Sequence, residues 1–397
     1  MPRHTPRRTL AVCCATHGLH DGLSDINYVL LPILAQAFNL SLMQVGLIRS
    51  AWRAATSLFE FPAGLLAERF GTRMLLALGT ACSGIAFIAL GHAAGFAAIL
   101  LTLFCAGFGS AFQHPLCSTV VSNAYPDEGR RKALGTYNFS GDVGKFALAG
   151  ATSLIFLIGV PWQVPVNIFG GLSLACALSI LLLLREPETY RRALAPKSVY
   201  ERGSAGWGIR NRKGFLVLCL IEVIDISTRT GFLTFIAFLI IAKEMPAGWA
   251  TMAVPLTMAG GMVGKLACGY LAERLGIIRT IVITEIWTGL GILLLLPVSG
   301  VAAFLLLPLV GVALNGTSSV LYATVGDLVE PDRLPRVFGL FYTISSVCSL
   351  TVPLLFGAVG DVIGITTTIA LIGMLVFLTL PLCWILKSAL EPRSAAI

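Results

Sequence analysis

The chain has 397 residues, of which 56% are hydrophobic and only 12% are charged, and its formal net charge at pH 7 is +8. An ordinary soluble domain has about 25% charged residues. So few charged side chains could not cover the surface of a soluble protein. The composition therefore excludes a cytosolic enzyme, a nucleic-acid-binding protein and a disordered scaffold.

Twelve stretches of the chain are apolar and long enough for a helix that crosses a membrane, which needs about 20 residues. The first six are 9–36, 42–66, 74–91, 96–121, 133–157 and 163–184, and the last six are 214–241, 247–270, 278–298, 301–325, 337–359 and 364–386. The polar stretch 185–213 predicts a cytoplasmic linker between an N-terminal half, 1–184, and a C-terminal half, 214–397. The predicted fold class is an all-α membrane protein with twelve transmembrane helices in two halves of six.

The lysine and arginine residues predict the orientation of these helices, because basic residues concentrate in cytoplasmic loops. If the N-terminus is cytoplasmic, 22 of the 28 lysines and arginines fall in cytoplasmic segments, and only Lys243 falls in a loop on the other side. The others lie within predicted helices. We therefore predict that both termini are cytoplasmic and attribute the net positive charge to topology.

The two halves resemble each other at one fixed offset of 205 residues. The string GLLAERFG at Gly64–Gly71 recurs as GYLAERLG at Gly269–Gly276. Three further matches occur at the same offset: Pro126-Asp127 with Pro331-Asp332, Arg131 with Arg336, and Tyr137 with Tyr342. These matches indicate a duplication. A parallel repeat of six plus six helices resembles the plan of the major facilitator superfamily, which implies a substrate site between the halves near the midplane.

The repeated string also resembles the superfamily's cytoplasmic motif, G-x-L-a-D-r-x-G-r-r. The resemblance implies that Gly64 allows close helix approach, that Gly71 turns the loop, and that Glu68, in place of the usual Asp, pairs with neighbouring helices together with Arg69. Such pairing would latch one conformation of the transporter. The alternative is a loop that only fixes topology. The latch residues are Gly64, Glu68, Arg69, Gly71 and Arg73, with Gly269, Glu273 and Arg274 in the second half.

Two segments of the first 120 residues resemble the fosmidomycin-resistance family of bacterial efflux transporters. The first segment is HGLHDGLSDINYVLLPIL followed by LSLMQVGLIRS, and the second is GFGSAFQHPLCS. The resemblance implies export of a small toxic compound from a bacterium. The predicted fifth helix, FSGDVGKFALAG, and two arginines in the second depart from the family's pattern. The matched positions are His17, Asp21, Pro32, Leu40, Ser41, Gln44, Gly46, Leu47, Ala111, His114 and Pro115.

Ionisable residues inside predicted helices mark functional positions, since each costs roughly 2.5–3.5 kcal/mol on insertion scales. In the first helix, His17, Asp21 and Asp25 are spaced four apart and share one face, which His20 flanks. We predict that Asp21 carries a proton with His17 or His20, and that Asp25 belongs to the same group. The alternative is a fixed hydrogen-bonded cluster.

Charged residues in the other helices predict a substrate site. Two arginines one turn apart in the second helix need anions, which are either the aspartates of the first helix or an anionic, phosphonate-like substrate. The pairs in the fifth and seventh helices can instead neutralise each other, and a histidine beside Pro115 suits either substrate binding or packing. Glu285 has no predicted partner. The predicted substrate-binding residues are Arg49, Arg53, His114, Asp142, Lys145, Glu222, Asp225 and Arg229.

The sequence carries no nucleotide-binding string, nucleophile elbow or metalloprotease motif, so we predict neither an enzyme nor a cofactor. The ten cysteines lack metal-ligand spacing, and no metal site is expected. The predicted function is a monomeric, proton-coupled secondary transporter in a bacterial inner membrane, which exports a small toxic compound by alternating access. Its partners are the substrate, protons and the lipid bilayer, without nucleic acid. The alternatives are proton-coupled uptake of an organic anion, metalloid efflux through the cysteines and a non-transporting membrane sensor.

Overall fold

The computed structural model of the protein describes residues 6–125, 129–184, 207–330 and 334–390, and these residues form twelve long α-helices. The first six are α1 (Pro6–Phe38), α2 (Leu42–Phe70), α3 (Thr72–Leu90), α4 (Phe96–Ala124), α5 (Gly129–Leu157) and α6 (Gln163–Leu183). The last six are α7 (Arg212–Ala242), α8 (Ala247–Leu275), α9 (Ile277–Leu294), α10 (Gly300–Leu328), α11 (Leu334–Ile363) and α12 (Ile365–Leu390). The predicted all-α fold of twelve helices is confirmed.

Three of these helices are interrupted, and a proline follows each interruption. α4 consists of Phe96–Ser110 and Gln113–Ala124, and α8 of Ala247–Ala250 and Ala253–Leu275. α12 contains a 3₁₀ turn at Val376–Leu378 before Thr379–Leu390. Pro115, Pro255 and Pro381 are each the third residue of the following piece. A proline there loses no helical hydrogen bond, because the first four N–H groups of a helix have no intrahelical acceptor.

Within the described residues, nine of the helices are long and apolar enough to cross a membrane. These are α3, α4 and α6 to α12. The remaining three, α1, α2 and α5, carry the charged residues of the first half that lie inside predicted membrane spans. The charged residues of the first half are therefore concentrated on the helices that carry the predicted site.

The chain forms two compact units. Of the described residues, the first contains 6–40, 47–125 and 129–184, and the second contains 41–46, 207–330 and 334–390. In the first unit α1 and α5 pack closely, since a Cβ atom on Gly144 would overlap the carbonyl oxygen of Gly18. Of the predicted linker 185–213, residues 185–206 lie outside the described residues, as do Pro126, Asp127, Pro331 and Asp332 of the repeat.

In the second unit, the segment before α7 is fastened to the ends of two other helices. Ile209 pairs with Val329 in an antiparallel bridge beyond the end of α10. Asn211 then caps α7: its Oδ1 accepts from the Gly214 N–H at 2.9 Å, and its Nδ2 donates to the Ala389 carbonyl of α12 at 3.0 Å. The side chain of Asn211 thus joins the first turn of α7 to the last turn of α12.

Replacing Asn211 by alanine is expected to lower the free energy of unfolding by about 1 kcal/mol, the typical cost of a lost N-cap. Asn211→Asp keeps the acceptor for Gly214 but loses the donor to Ala389, so it should lose less stability. Thermal unfolding of the purified protein in detergent measures both. Equal losses in the two variants would contradict a capping role.

Candidate functional site

His17 and Asp21 contact each other on α1, and the second ring nitrogen of His17 contacts a backbone carbonyl. His17 Nε2 lies 3.3 Å from Asp21 Oδ2, and His17 Nδ1 lies 2.7 Å from the backbone carbonyl oxygen of Tyr137 on α5. A carbonyl can only accept, so Nδ1 carries a hydrogen and Nε2 of a neutral ring turns its lone pair toward Asp21. A hydrogen bond between this nitrogen and the carboxyl group therefore needs one further proton, on either partner.

Asp21 also contacts charged or protonatable side chains from two other helices. Lys145 Nζ on α5 lies 3.0 Å from Asp21 Oδ2, and His114 Nε2 on α4 lies 3.4 Å from Asp21 Oδ1. Lys145 is in turn 3.6 Å from Asp142 Oδ1. We call Asp21, His17, His114 and Lys145 the Asp21 cluster. The structure thus brings together predicted residues from both categories, proton coupling and substrate binding.

The Asp21 cluster contains the ligand types of a metal site, but its charges favour a proton. The ligand atoms of His17, Asp21 and His114 lie within 4.8 Å of one another. The Lys145 ammonium, however, contacts the same carboxylate at 3.0 Å, and it would repel a metal cation bound there. The charges of the cluster therefore do not favour a bound metal cation.

The surroundings of the cluster include three residues that were not predicted as part of the site: Tyr137, Gln113 and Gly141. The Tyr137 ring stacks on the His17 ring with 4.1 Å between centroids, and Gln113 Nε2 donates to the Tyr137 hydroxyl at 2.8 Å. Gly141 on α5 faces the contact between His17 and Asp21 directly. A Cβ atom at this position would lie 2.6 Å from Asp21 Oδ2 and 2.7 Å from the His17 ring. Gly141 therefore lets α5 lie directly against His17 and Asp21, and no side chain would fit between them.

Gly141→Ala is expected to displace Asp21 and His17 and to lower transport by about tenfold, since misplacement by about 1 Å commonly costs more than that at a reactive site. Gly135→Ala on the same helix is the matched control, because a Cβ atom there meets nothing within 4 Å. Uptake into proteoliposomes measures both variants. Wild-type rates for Gly141→Ala would contradict the tight geometry assigned to the cluster.

Arg49 is held by α1 rather than left open for a ligand. Its Nη1 donates to the Ser24 carbonyl at 2.9 Å, and its Nη2 lies 4.0 Å from Asp25 Oδ1. The guanidinium also lies over the Tyr28 ring, 3.9 Å from the centroid. Asp25 is thereby drawn to Arg49, and we assign the two residues to an ion pair that links α1 and α2.

Arg53, one turn after Arg49, has a different environment. Its Nε is buried and has no hydrogen-bond partner among the described residues. A buried guanidinium nitrogen without an acceptor is unfavourable unless another group supplies one. Of the two arginines, Arg53 is therefore the better candidate to bind an anionic substrate.

His20 was the alternative to His17 as the proton partner of Asp21, and its ring contacts two hydroxyl groups. Its Nδ1 lies 3.2 Å from Ser110 Oγ on α4, and its Nε2 lies 3.0 Å from Thr80 Oγ1 on α3. The residue is only 1% exposed. Of the two histidines, it is therefore His17 that contacts the Asp21 carboxyl group, whereas hydroxyl groups of α3 and α4 hold the His20 ring.

The second unit holds its own group of buried ionisable residues. Glu222, Asp225 and Arg229 lie along α7, as the sequence predicted, and the two acids are 0% and 4% exposed. Glu285 on α9, for which the sequence suggested no partner, is 1% exposed and belongs to the same group. The signal that could have found it is its charge inside a predicted transmembrane helix.

Comparison with known families accounts for the twelve-helix fold. The family described as "Major Facilitator Superfamily" matches residues 13–305 and again residues 218–396. The chain belongs to the Major Facilitator Superfamily. Superfamily members are transporters rather than enzymes, and this chain is a multi-pass membrane transporter.

Relatives within the superfamily differ in what their names say they transport. The uncharacterised transporter YfnC of Bacillus subtilis is 26% identical over 94% of this chain and 91% of its own length. A hexuronate transporter of the same species is 21% identical over 84% of this chain and 83% of its own length. The superfamily assignment therefore holds over nearly the whole chain, whereas the names do not converge on one substrate.

The narrower resemblance to fosmidomycin-resistance transporters is only partly supported. The fosmidomycin resistance protein of Escherichia coli is 28% identical over 115 residues, which are 29% of this chain and 28% of that protein. Among solved structures, a bacterial homologue of the human lysosomal transporter Spinster, inward-facing and unoccupied, superposes with a TM-score of 0.80 over 98% of both chains at 14% identity. This likeness concerns the superfamily fold alone.

The superfamily loop motif occurs at equivalent turns in both halves. Gly71 and Gly276 are the single residues between α2 and α3 and between α8 and α9, with φ of 84° and 85°. Both angles lie in the left-handed region, which glycine adopts without strain. The prediction that another helix approaches closely at Gly64 is wrong for this structure. A Cβ atom on Gly64 would meet no described atom within 4 Å, and the same is true of Gly269.

The basic residues of the motif contact their own unit. Arg73 donates to the Leu181 carbonyl near the C-terminal end of α6, where a cation is favourable. The Arg69 and Arg274 guanidinium groups lie over rings of their own helices, 5.5 Å from Phe70 and 4.5 Å from Tyr270. The Glu68 side chain lies outside the described part of the chain, and Glu273 is exposed.

Proposed function

We propose that this transporter couples the movement of a small organic anion to a proton, and that the Asp21 cluster is its coupling site. The observation that carries the proposal is the position of Asp21 between His17, which needs a shared proton, and Lys145, which needs an anion. Protonation of the Asp21 carboxyl group would therefore change how available the Lys145 ammonium is to an anionic substrate.

The contacts of Asp21 favour movement of proton and anion in the same direction. While its carboxylate is ionised, it occupies the Lys145 ammonium at 3.0 Å. A proton on Asp21 weakens this pair and leaves only the longer contact with Asp142, at 3.6 Å, so that a substrate anion can bind the ammonium. By thermodynamic linkage, an anion on Lys145 favours protonation of Asp21 by the same factor. Proton and anion then bind together, and an inward proton gradient drives uptake.

The chemical class of the substrate follows from the available cations. Lys145 contacts Asp21 and would turn to a ligand once that carboxyl group is protonated, and the buried Nε of Arg53 lacks an acceptor among the described residues. Carboxylates and phosphonates present two oxygens that suit a guanidinium. Similarity to a hexuronate transporter over most of the chain supports an organic acid.

Export in exchange for protons is the second candidate, and the similarity to the fosmidomycin resistance protein favours it. In this mode the proton and the toxic compound would bind alternately rather than together. The two candidates therefore predict opposite signs of proton movement when substrate is added on one side.

The test uses the purified protein in proteoliposomes that contain a pH-sensitive dye. Hexuronates, phosphonates and other organic acids are added outside, one at a time. Internal acidification on addition supports symport, and internal alkalinisation supports antiport and therefore export. Protein-free liposomes control for passive entry of the protonated acid. No substrate-dependent pH change across the panel would contradict both forms of proton coupling.

We also propose the finer topology predicted from the sequence: a monomer in the bacterial inner membrane, with cytoplasmic termini and halves 1–184 and 214–397 joined by a cytoplasmic linker, 185–213. The distribution of lysine and arginine supports this orientation. The latch assigned to Glu68, Arg69, Glu273 and Arg274 remains part of the proposal. Reporter fusions at both termini test the orientation.

A further inference from the structure

The second unit contains two carboxyl groups that face each other across helices α7 and α9. Asp225 and Glu285 lie within hydrogen-bonding reach, and they are 4% and 1% exposed. Two ionised carboxylates are both acceptors and cannot form a hydrogen bond. Contact between two buried carboxyl groups therefore requires a proton that the pair shares.

The neighbouring groups do not neutralise the acids. The charged or titratable residues that interact with the pair are Glu222 and Arg229 on α7 and Cys383 on α12. If every acid were ionised, three carboxylates would face the one guanidinium of Arg229, and such an excess of buried charge is very unfavourable. Glu222 has a separate partner, because its Oε1 accepts from Ser345 Oγ at 2.5 Å.

Hydrogen bonds from hydroxyl groups do not stabilise an ionised Glu285 either. Neither of its carboxyl oxygens has a donor among the described residues. Thr317, which also faces Glu285, donates its hydrogen to Thr284 Oγ1 at 2.8 Å. A buried carboxylate without donors would lose its hydration without compensation. The neutral, protonated form removes this cost.

A second observation comes from two threonines on the same helix faces. Thr228 and Thr288 follow Asp225 and Glu285 by three residues, are 1% and 3% exposed, and have hydroxyl groups with no partner among the described residues. Residues three apart lie on one face of a helix. Buried hydroxyl groups without hydrogen-bond partners therefore flank the two acids. Such hydroxyl groups can hold a water molecule, which would deliver a proton to the acids.

A proton fits this site better than a metal ion. Among the described residues, three His, Cys, Asp or Glu ligand atoms come within 4.8 Å of one another only at His17, Asp21 and His114. Glu222, Asp225 and Glu285 are therefore too dispersed to enclose one metal ion together. The contact that the structure provides is the one between two carboxyl groups.

We propose that Asp225 and Glu285 form a second proton-binding site, in which the two carboxyl groups share one exchangeable proton. This inference goes beyond the proposed function, because it concerns a separate group in the second unit and does not depend on the role of Asp21. The transporter would then bind one proton in each unit.

Infrared spectroscopy of the purified protein in lipid nanodiscs tests the proposal, because a protonated carboxyl group has a C=O band separate from those of carboxylates. The difference spectrum between wild type and Glu285→Gln should contain such a band at neutral pH, and the band should shift in D₂O. Asp225→Asn should remove the same band. Glu330→Gln, at an exposed position, is the matched control, and its difference spectrum should contain no protonated-carboxyl band.

Three results would overturn the proposal: no protonated-carboxyl band in either difference spectrum, a band that persists in both variants, or a band that disappears on addition of Na⁺ at constant pH. The last result would assign the site to an alkali cation. If Glu285→Gln does not fold, Glu285→Asp and Asp225→Asn provide the comparison. The spectrum requires no substrate, so failure here is distinguishable from failure of the flux assay.

Discussion

Replacing Asp21 by asparagine is expected to reduce proton-driven accumulation of substrate by about tenfold or more, within the usual range of coupling between two binding sites. Asparagine is nearly isosteric but cannot take up a proton or carry a negative charge. Lys145 would lose its partner at 3.0 Å and remain available to the anion at every pH. Exchange of substrate across the membrane should therefore continue without coupling.

Two assays separate these effects. Accumulation under an imposed inward proton gradient reports coupling, and counterflow of labelled substrate without a gradient reports binding and conformational exchange. The Asp21→Asn variant should fail the first and retain the second. Its counterflow should also vary less with pH than that of the wild type. Full accumulation by Asp21→Asn would contradict the assignment of the coupling site.

Asp142→Asn is the matched control for Asp21→Asn. Asp142 lies on α5 and contacts the same ammonium, but at 3.6 Å and with a more exposed carboxyl group. Its removal leaves the contacts of Asp21 with His17 and His114 in place. We expect accumulation to fall far less than in Asp21→Asn. Equal losses would indicate that the charge around Lys145, and not the proton on Asp21, controls transport.

The sequence predicted the helices well because the apolar residues that define each helix lie within a single segment of the chain. Apolar length fixed their number, and the ends agree within a few residues: 42–66 corresponds to Leu42–Phe70, and 163–184 to Gln163–Leu183. Interruptions are harder to predict. Pro115 marks one, yet Pro32 lies inside the continuous helix α1. Whether a proline breaks a helix depends on the packing around it, which the local sequence does not contain.

The site could be predicted only within single helices. Spacing of four residues placed His17 beside Asp21, and spacing of three placed Asp142 beside Lys145. It could not reveal that α1, α4 and α5 meet at Asp21, because helix neighbours depend on the tertiary fold. For the same reason the partners of His20 and Glu285, which lie on other helices, were missed.

The position of close helix packing was also predicted wrongly from the sequence. The motif glycine Gly64 is unpacked, whereas Gly260 and Gly264, which form a G-x-x-x-G pattern on α8, are in tight contact with α10. A Cβ atom on either would overlap a backbone carbonyl oxygen, that of Pro308 or Val312. Small residues at this spacing allow two helix backbones to approach closely. The pattern was visible in the sequence, but its partner helix was not.

Gly264→Ala is therefore expected to destabilise the second unit by about 3 kcal/mol, the upper part of the range for overpacking, because the atom it meets belongs to the backbone and cannot rotate away. Gly269→Ala, on the same helix, is the control: its Cβ meets nothing within 4 Å, and alanine is favoured over glycine in a helix. Thermal unfolding and size-exclusion chromatography in detergent measure both variants. Gly269→Ala should match or exceed wild-type stability. A stable Gly264→Ala protein would mean that α8 and α10 can separate without cost, and the close contact could not then be what holds these two helices together.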